Sequence, residues 1–200
     1  MIVPLLMCRS IVHEFKVYDK RGRLVRHGSF CSRSFTRNFV ALQRLLLFDV
    51  NVAMWDRTNA KYTISREYID DVDVAADEGN YYYGIILGTN NTQPAADDYW
   101  VKAVIAHSDT GLYYYAMSVS AELKGEGDVR YFTLSRTFEN KGTDTITFYE
   151  VGLGAKIPTG GTYYLLARDT TSTAKGVGED YVTIEPGYSL VWVMKPQIVV

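Results

Sequence analysis

Alternation of apolar and polar residues begins at Ile11. Ile11, Phe15 and Val17 fall on one side and Glu14 and Lys16 on the other, which predicts a strand over 11–18. Asp19-Lys20-Arg21-Gly22 reads as a turn, and residues 23–31 return as a second strand, a hairpin. The period then lengthens. Phe35, Phe39, Leu42 and Leu46 recur at i, i+4, i+7 and i+11, one face of a helix that Ser34 would cap and that runs to about Phe48. Arg37 and Arg44 lie on its other side and should point outward. After a short strand near 61–66, strand patterns recur near 81–88, 100–106, 112–121, 129–139, 144–151, 162–168, 180–184 and 188–199. Turn signals separate them, among them Asp109-Thr110-Gly111, Asn140-Lys141-Gly142 and Pro186-Gly187. The expected fold is all-β with one helix: a single domain over 1–200, an antiparallel β-sandwich, jelly-roll-like, with an N-terminal hairpin and α-helix.

Composition adds compartment and surface to that picture. Hydrophobic residues are 47% and charged residues 22% of 200, so the chain can bury a core and is not disordered. Tyrosine stands out, 16 against 8 Phe, in keeping with strands and wet interfaces. The net charge of −2 hides a split: residues 1–48, the hairpin and helix, carry +7, and the body over 49–200 carries −9. Such polarity favours ordered self-association over nucleic-acid binding, because the basic residues sit in patterned structure and not in a run. Two cysteines, Cys8 and Cys31, make no disulfide framework and fit a reducing cytoplasm. The apolar start Met1–Met7 lacks the charged flank of a signal peptide, and no apolar run is long enough to span a bilayer.

Catalytic motifs are weighed and set aside. Asp109-Thr110-Gly111 has the aspartic-protease tripeptide, but His107 and Ser108 replace the apolar residues expected before it, and a turn explains it equally. His107, Ser108 and Asp109 are consecutive, so they point apart and form no relay. Cys8, His13, His27 and Cys31 flank the first turn. In a hairpin centred near residue 20, His13 would face His27, but the four do not share one face within reach of an ion. Asp70, Asp71, Asp73, Asp77 and Glu78 lack a calcium-loop spacing and read as a solvated loop or a patch for a basic neighbour. Tyr81 with Tyr83, and Tyr113 with Tyr115, would share strand faces as core, interface or sugar platform. Arg136 and Glu150, counted across the Asn140-Lys141-Gly142 turn, fall on one apolar face and are expected to pair, so that Glu150→Ala would destabilise fold or assembly. No cofactor is expected.

Three stretches resemble structural proteins of tailed bacteriophages: Ser34-Phe35-Thr36-Arg37-Asn38-Phe39 after a strand–turn–strand; Ser135-Arg136-Thr137-Phe138-Glu139-Asn140 with Thr147-Phe148-Tyr149-Glu150-Val151-Gly152-Leu153; and Leu165-Leu166-Ala167-Arg168-Asp169. The resemblance implies a small β-sandwich virion component of capsid, collar or tail, made in the host cytoplasm, with no active site to carry over. The expected function is therefore non-enzymatic: self-association and docking on other virion proteins, with no membrane partner. Lys20, Arg21, Arg23 and Arg26 of the hairpin with Arg37 and Arg44 would form one contact, and Asp70, Asp71 and Asp73 another. The alternative is a module that binds a carbohydrate or receptor, such as a host surface glycan, through the tyrosines.

Overall fold

The structure, a computed structural model, describes residues 8–32, 34–126, 129–158, 162–171 and 181–199. It is mostly β, with one α-helix, and every sheet is antiparallel. The strands are β1 (Cys8–Tyr18), β2 (Leu24–Ser32), β3 (Val52–Trp55), β4 (Lys61–Ile64), β5 (Gly84–Gly88), β6 (Leu112–Tyr114), β7 (Ser118–Glu126), β8 (Val129–Asn140), β9 (Ile146–Phe148), β10 (Glu150–Lys156), β11 (Tyr163–Thr170), β12 (Val182–Ile184) and β13 (Ser189–Val199). The helix α1 spans Arg37–Phe48, and a 3-10 turn covers Arg66–Asp71.

A six-stranded sheet runs β2-β1-β13-β8-β6, with β7 continuing the β6 side of β8. A three-stranded sheet runs β11-β10-β5, and β12-β9 and β3-β4 are two-stranded. The main core joins the first two sheets. Ile11, Phe15, Leu134, Phe138, Trp192 and Met194 from one meet Ile85, Leu87, Val151, Leu153 and Ala167 from the other, all buried. A second core gathers Leu42 and Leu45 of α1 with Val52, Met54, Ile64, Tyr164 and Leu166.

The first hairpin forms, but not in the expected register. Asp19 accepts from the backbone N–H groups of Arg21 (2.8 Å) and Arg23 (3.0 Å), and Gly22 takes φ 72°, where a side chain would be strained. The longer turn and a bulge at Val17/Tyr18 set His13 opposite Phe30 and His27 opposite Lys16, so the two histidines do not face each other.

Helix α1 starts at Thr36 in the N-cap position, not Ser34. The Thr36 hydroxyl leaves the helix uncapped and donates instead to the Leu165 carbonyl at 2.5 Å, tying α1 to β11. Buried Asn38 fixes the other side, accepting from Trp55 N–H (2.9 Å) and donating to its carbonyl (2.7 Å). The buried face is Asn38, Leu42 and Leu45, and Leu46, expected inside, is 58% exposed.

Two other expectations change. Over 100–106 no full strand forms, only an isolated antiparallel bridge of Val104 with Gly88 of β5. The chain from Thr89 to Ile105 is a strap lying on the β5-β10-β11 sheet, with Val101 buried against Ile86 and Leu165. There is space for Val101 because Gly88 and Gly152 carry no Cβ; an added one at Gly88 would stand 2.7 Å from Val101. The segment after Asn140 also turns a corner and makes no hairpin. Asn140 donates to the carbonyls of Asp144 and Ile184, both at 2.7 Å, and β8 pairs with β13 while β9 joins β12.

Candidate functional site

Three buried polar clusters hold most of the charged chemistry of the interior. On β1, His13 is fully buried, and its Nε2 lies 2.9 Å from Asp169 of β11. Ser32 donates to the other oxygen of that carboxylate. Trp192 Nε1 sits 3.2 Å from His13 Nδ1, and an indole N–H only donates. Nδ1 therefore accepts, Nε2 carries the proton, and the imidazole donates to Asp169. Serine, histidine and aspartate thus meet, but the hydroxyl bonds to the carboxylate and not to the imidazole. A nucleophilic relay needs the reverse order and an accessible hydroxyl, and Ser32 is 6% exposed. This is a structural tie between the two main sheets.

The adjacent residue, Arg168, points to the other face of its sheet, under the strap. Its Nε donates to Glu150 at 2.6 Å and its Nη1 to Asp98 at 3.0 Å, while Nη2 reaches the Thr92 carbonyl at 3.0 Å. Glu150 also accepts from the backbone N–H groups of Ala103 (3.0 Å), Asn90 and Lys102 (both 3.3 Å). Both ends of the strap are so fastened to one ion pair.

Arg136 does not pair with Glu150, contrary to the sequence expectation. The two lie on strands of different sheets, so a count across the 141–145 turn does not bring them together. Arg136 donates instead to five backbone carbonyls: Tyr115 (2.9 Å), Tyr83 (3.2 Å), Ile85 (3.1 Å), Asp77 (3.1 Å) and Asn80 (2.5 Å). Tyr114 packs 4.8 Å from its guanidinium, and burial pushes its pKa down to about 10, still charged at neutral pH.

The surface residues divide in the same way. In the hairpin turn Lys20, Arg21 and Arg23 are exposed, but Asp19 holds Arg23 at 2.6 Å. Arg26 is half-buried over Phe15 and donates to the Tyr181 carbonyl at 3.1 Å. On the helix, the Arg37 guanidinium sits over the Trp55 ring, 3.7 Å from its centroid, and Arg44 is exposed. Asp70 and Asp71 are exposed on the 3-10 turn, whereas Asp73 turns back to accept from Ala75 N–H at 2.7 Å.

The tyrosines part company. Tyr113 and Tyr115 share a face, their rings 4.9 Å apart, and both stay half-buried. Tyr113 donates to Glu78 and Tyr115 to Glu139 (2.5 Å), and Lys141 Nζ caps the Tyr113 ring at 3.2 Å. The hydrogen bond to Glu139, with some burial, pushes Tyr115 up to about 12. Tyr81 and Tyr83 lie on no strand, and both pack on the main core. Their segment is irregular, Tyr83 is buried in the core, and the Tyr81 hydroxyl is 2.8 Å from that of Tyr82.

Sequence reasoning missed the outer side of α1. Val40, Leu46, Leu47, Phe48 and Val50 are all exposed, by 39% to 58%. The signal was Leu45-Leu46-Leu47-Phe48, because four consecutive apolar residues encircle a helix and one face cannot bury them all. Beside Leu46 lies an apolar cavity of about 330 Å³ between α1 and both main sheets, lined by Phe39, Leu42, Val72, Leu134 and Leu153. Among the described residues no three His, Cys, Asp or Glu side chains group to hold a metal ion, and no helix is long and apolar enough to cross a membrane. Comparison with protein-family models, with curated proteins and with solved structures gave no match.

Proposed function

We propose that this chain is a non-enzymatic virion structural protein of a tailed bacteriophage, a jelly-roll-like β-sandwich that associates with itself and docks on other capsid or tail proteins. The observation that carries the reading is the contrast between interior and surface. His13, Ser32, Asp169, Glu150 and Arg168 are buried and bonded to one another or to backbone, while α1 leaves four large apolar residues in solvent, with Val50 just beyond it. An apolar patch on that scale, next to exposed Arg44, marks a protein contact. The three stretches that resemble phage structural proteins also contain Arg136, Glu150 and Arg168, residues that organise the fold and face no substrate. Mass spectrometry of purified particles of the encoding virus tests the proposal. Stoichiometric recovery of the chain in intact particles is expected; its absence from them would overturn the reading.

A glycan-binding role has one observation in its favour: the half-exposed Tyr113–Tyr115 pair bordered by Glu78 and Glu139. Lys141 already covers the Tyr113 ring, which leaves a sugar less of the aromatic face. Glycan-array binding that is lost in Tyr113→Ala with an unchanged circular dichroism spectrum would favour this second reading.

A further inference from the structure

We infer that the outer side of α1 is a two-fold interface with a second copy of this chain. The inference rests on the self-association half of the function proposed above and names its surface.

Val40 and Leu47, two turns apart, form an apolar crest along the helix. The two flanks of that crest differ. On one flank, Arg37 and Arg44 line a shallow depression with Val40 and Trp55. Phe48, 58% exposed, falls on this flank by helical spacing. The other flank holds the apolar cavity, whose rim includes Leu46 and Val72. Val72 directly follows the 3-10 turn, which packs on α1 and exposes Glu67, Asp70 and Asp71. Arg66 of that turn is held by Asp49 at 3.0 Å, so the turn stays acidic.

The order across the surface is therefore basic flank, apolar crest, acidic flank. A two-fold axis that runs along the crest, parallel to the helix, lays the basic flank of one copy on the acidic flank of the other, twice, with the two helices parallel. A two-fold interface must be self-complementary, and this surface is so in charge and in shape. The same rotation carries the exposed Phe48 of each copy towards the cavity flank of its partner, and a cavity of about 330 Å³ has space for an aromatic side chain. The charge pattern selects a second copy over an unrelated apolar partner, because both halves of the match lie on this chain.

Sedimentation equilibrium of the full chain over a concentration series tests the inference, with thermal melting as the control for folding. The expected result is a dimer that Leu47→Asp converts to a monomer without a lower melting temperature. Arg44→Glu and Asp71→Lys alone should each weaken the dimer by roughly tenfold, since symmetry counts each lost pair twice. The double variant Arg44→Glu/Asp71→Lys should regain most of that loss. A wild-type chain that stays monomeric overturns the inference, as does an oligomer untouched by Leu47→Asp or charge variants whose losses add without rescue. If Leu47→Asp does not fold, the charge-swap rescue decides. A monomer recovered stoichiometrically in virions would refute this interface and leave the virion role standing.

Discussion

Arg136 and Arg168 are both sealed from solvent, at 1% and 0% exposure, yet only one of them is met by carboxylates. Arg168 is neutralised by Glu150 and Asp98, with backbone from the strap around them. Among the described residues no carboxylate lies within bonding distance of Arg136, which is solvated by five main-chain carbonyls. A guanidinium offers five donors in a fixed fork, so either environment satisfies it. What differs is the state left behind when the arginine goes. Around Arg168 the buried Glu150 would lose its counter-ion and Asp98 would keep only Lys102 at 3.6 Å, whereas around Arg136 only neutral dipoles would lose a donor.

Removing the arginines tests that difference most strongly. Arg168→Met should cost about 3–5 kcal/mol in denaturant unfolding, because it strands Glu150 as a buried charge. Glu150→Ala should cost about 3 kcal/mol: Arg168 keeps Asp98, but the N–H groups of Asn90, Lys102 and Ala103 lose their acceptor. The destabilisation expected from the sequence thus remains, with Arg168 as the partner. Arg136→Met should cost less, about 2–3 kcal/mol, as carbonyls tolerate the loss of a donor better than a carboxylate does. If Arg136→Met proved as costly as Arg168→Met, the distinction between ionic and dipolar solvation would fail.

The two arginines also mark where sequence reasoning reached and where it stopped. Period-two patterning located β8 and β13, and a change of period located α1, because each carries a buried face: Leu134, Arg136, Phe138 and Asn140 on β8, Leu190, Trp192 and Met194 on β13, and Asn38, Leu42 and Leu45 on α1. Arg136 was correctly placed on an apolar face. Its partner was not legible, because the count from the 141–145 turn assumed a hairpin, and β8 and β10 sit in different sheets. Carbonyl cages leave no side-chain signature at all. The strap misled for a related reason: Val101, Ala103 and Ile105 alternate as a strand would, but Val101 serves to fill the space above Gly88 and Gly152. Short β3, four residues long, carries too few positions to show a period. The exposed apolar side of α1 was readable as too many consecutive apolar residues, yet the one-face template assigned Leu46 to the core.

A milder change asks whether Arg136 is held by its shape or by its charge. Arg136→Lys keeps the charge, but an ammonium has three donors and no planar fork, so some of the five carbonyls lose their partner. A loss of about 1–2 kcal/mol is expected in the same unfolding measurement. A neutral result would mean that charge alone organises the cage.

The smallest effect concerns why no carboxylate reaches Arg136. Two nearby acids are engaged on the outer face: Glu139, three residues along β8, accepts from Tyr115, and Glu78 accepts from Tyr113. Glu139 raises the Tyr115 hydroxyl to about 12, first through that hydrogen bond, then through burial and its own charge. A hydroxyl with a raised folded pKa contributes stability that is complete below the ordinary tyrosine value near 10 and is lost as pH climbs through about 12. Ultraviolet titration at alkaline pH should therefore show late-ionising tyrosine in the folded protein. Glu139→Gln should bring Tyr115 back towards 10, because an amide carries no charge to oppose the phenolate. It should lower neutral-pH stability slightly, since solvent screens the half-exposed pair, and leave Arg136 in its cage. A Tyr115 that still ionised late in Glu139→Gln would mean that burial, and not the carboxylate, sets its titration, and that Glu139 is not committed to the outer face as the contrast between the two arginines requires.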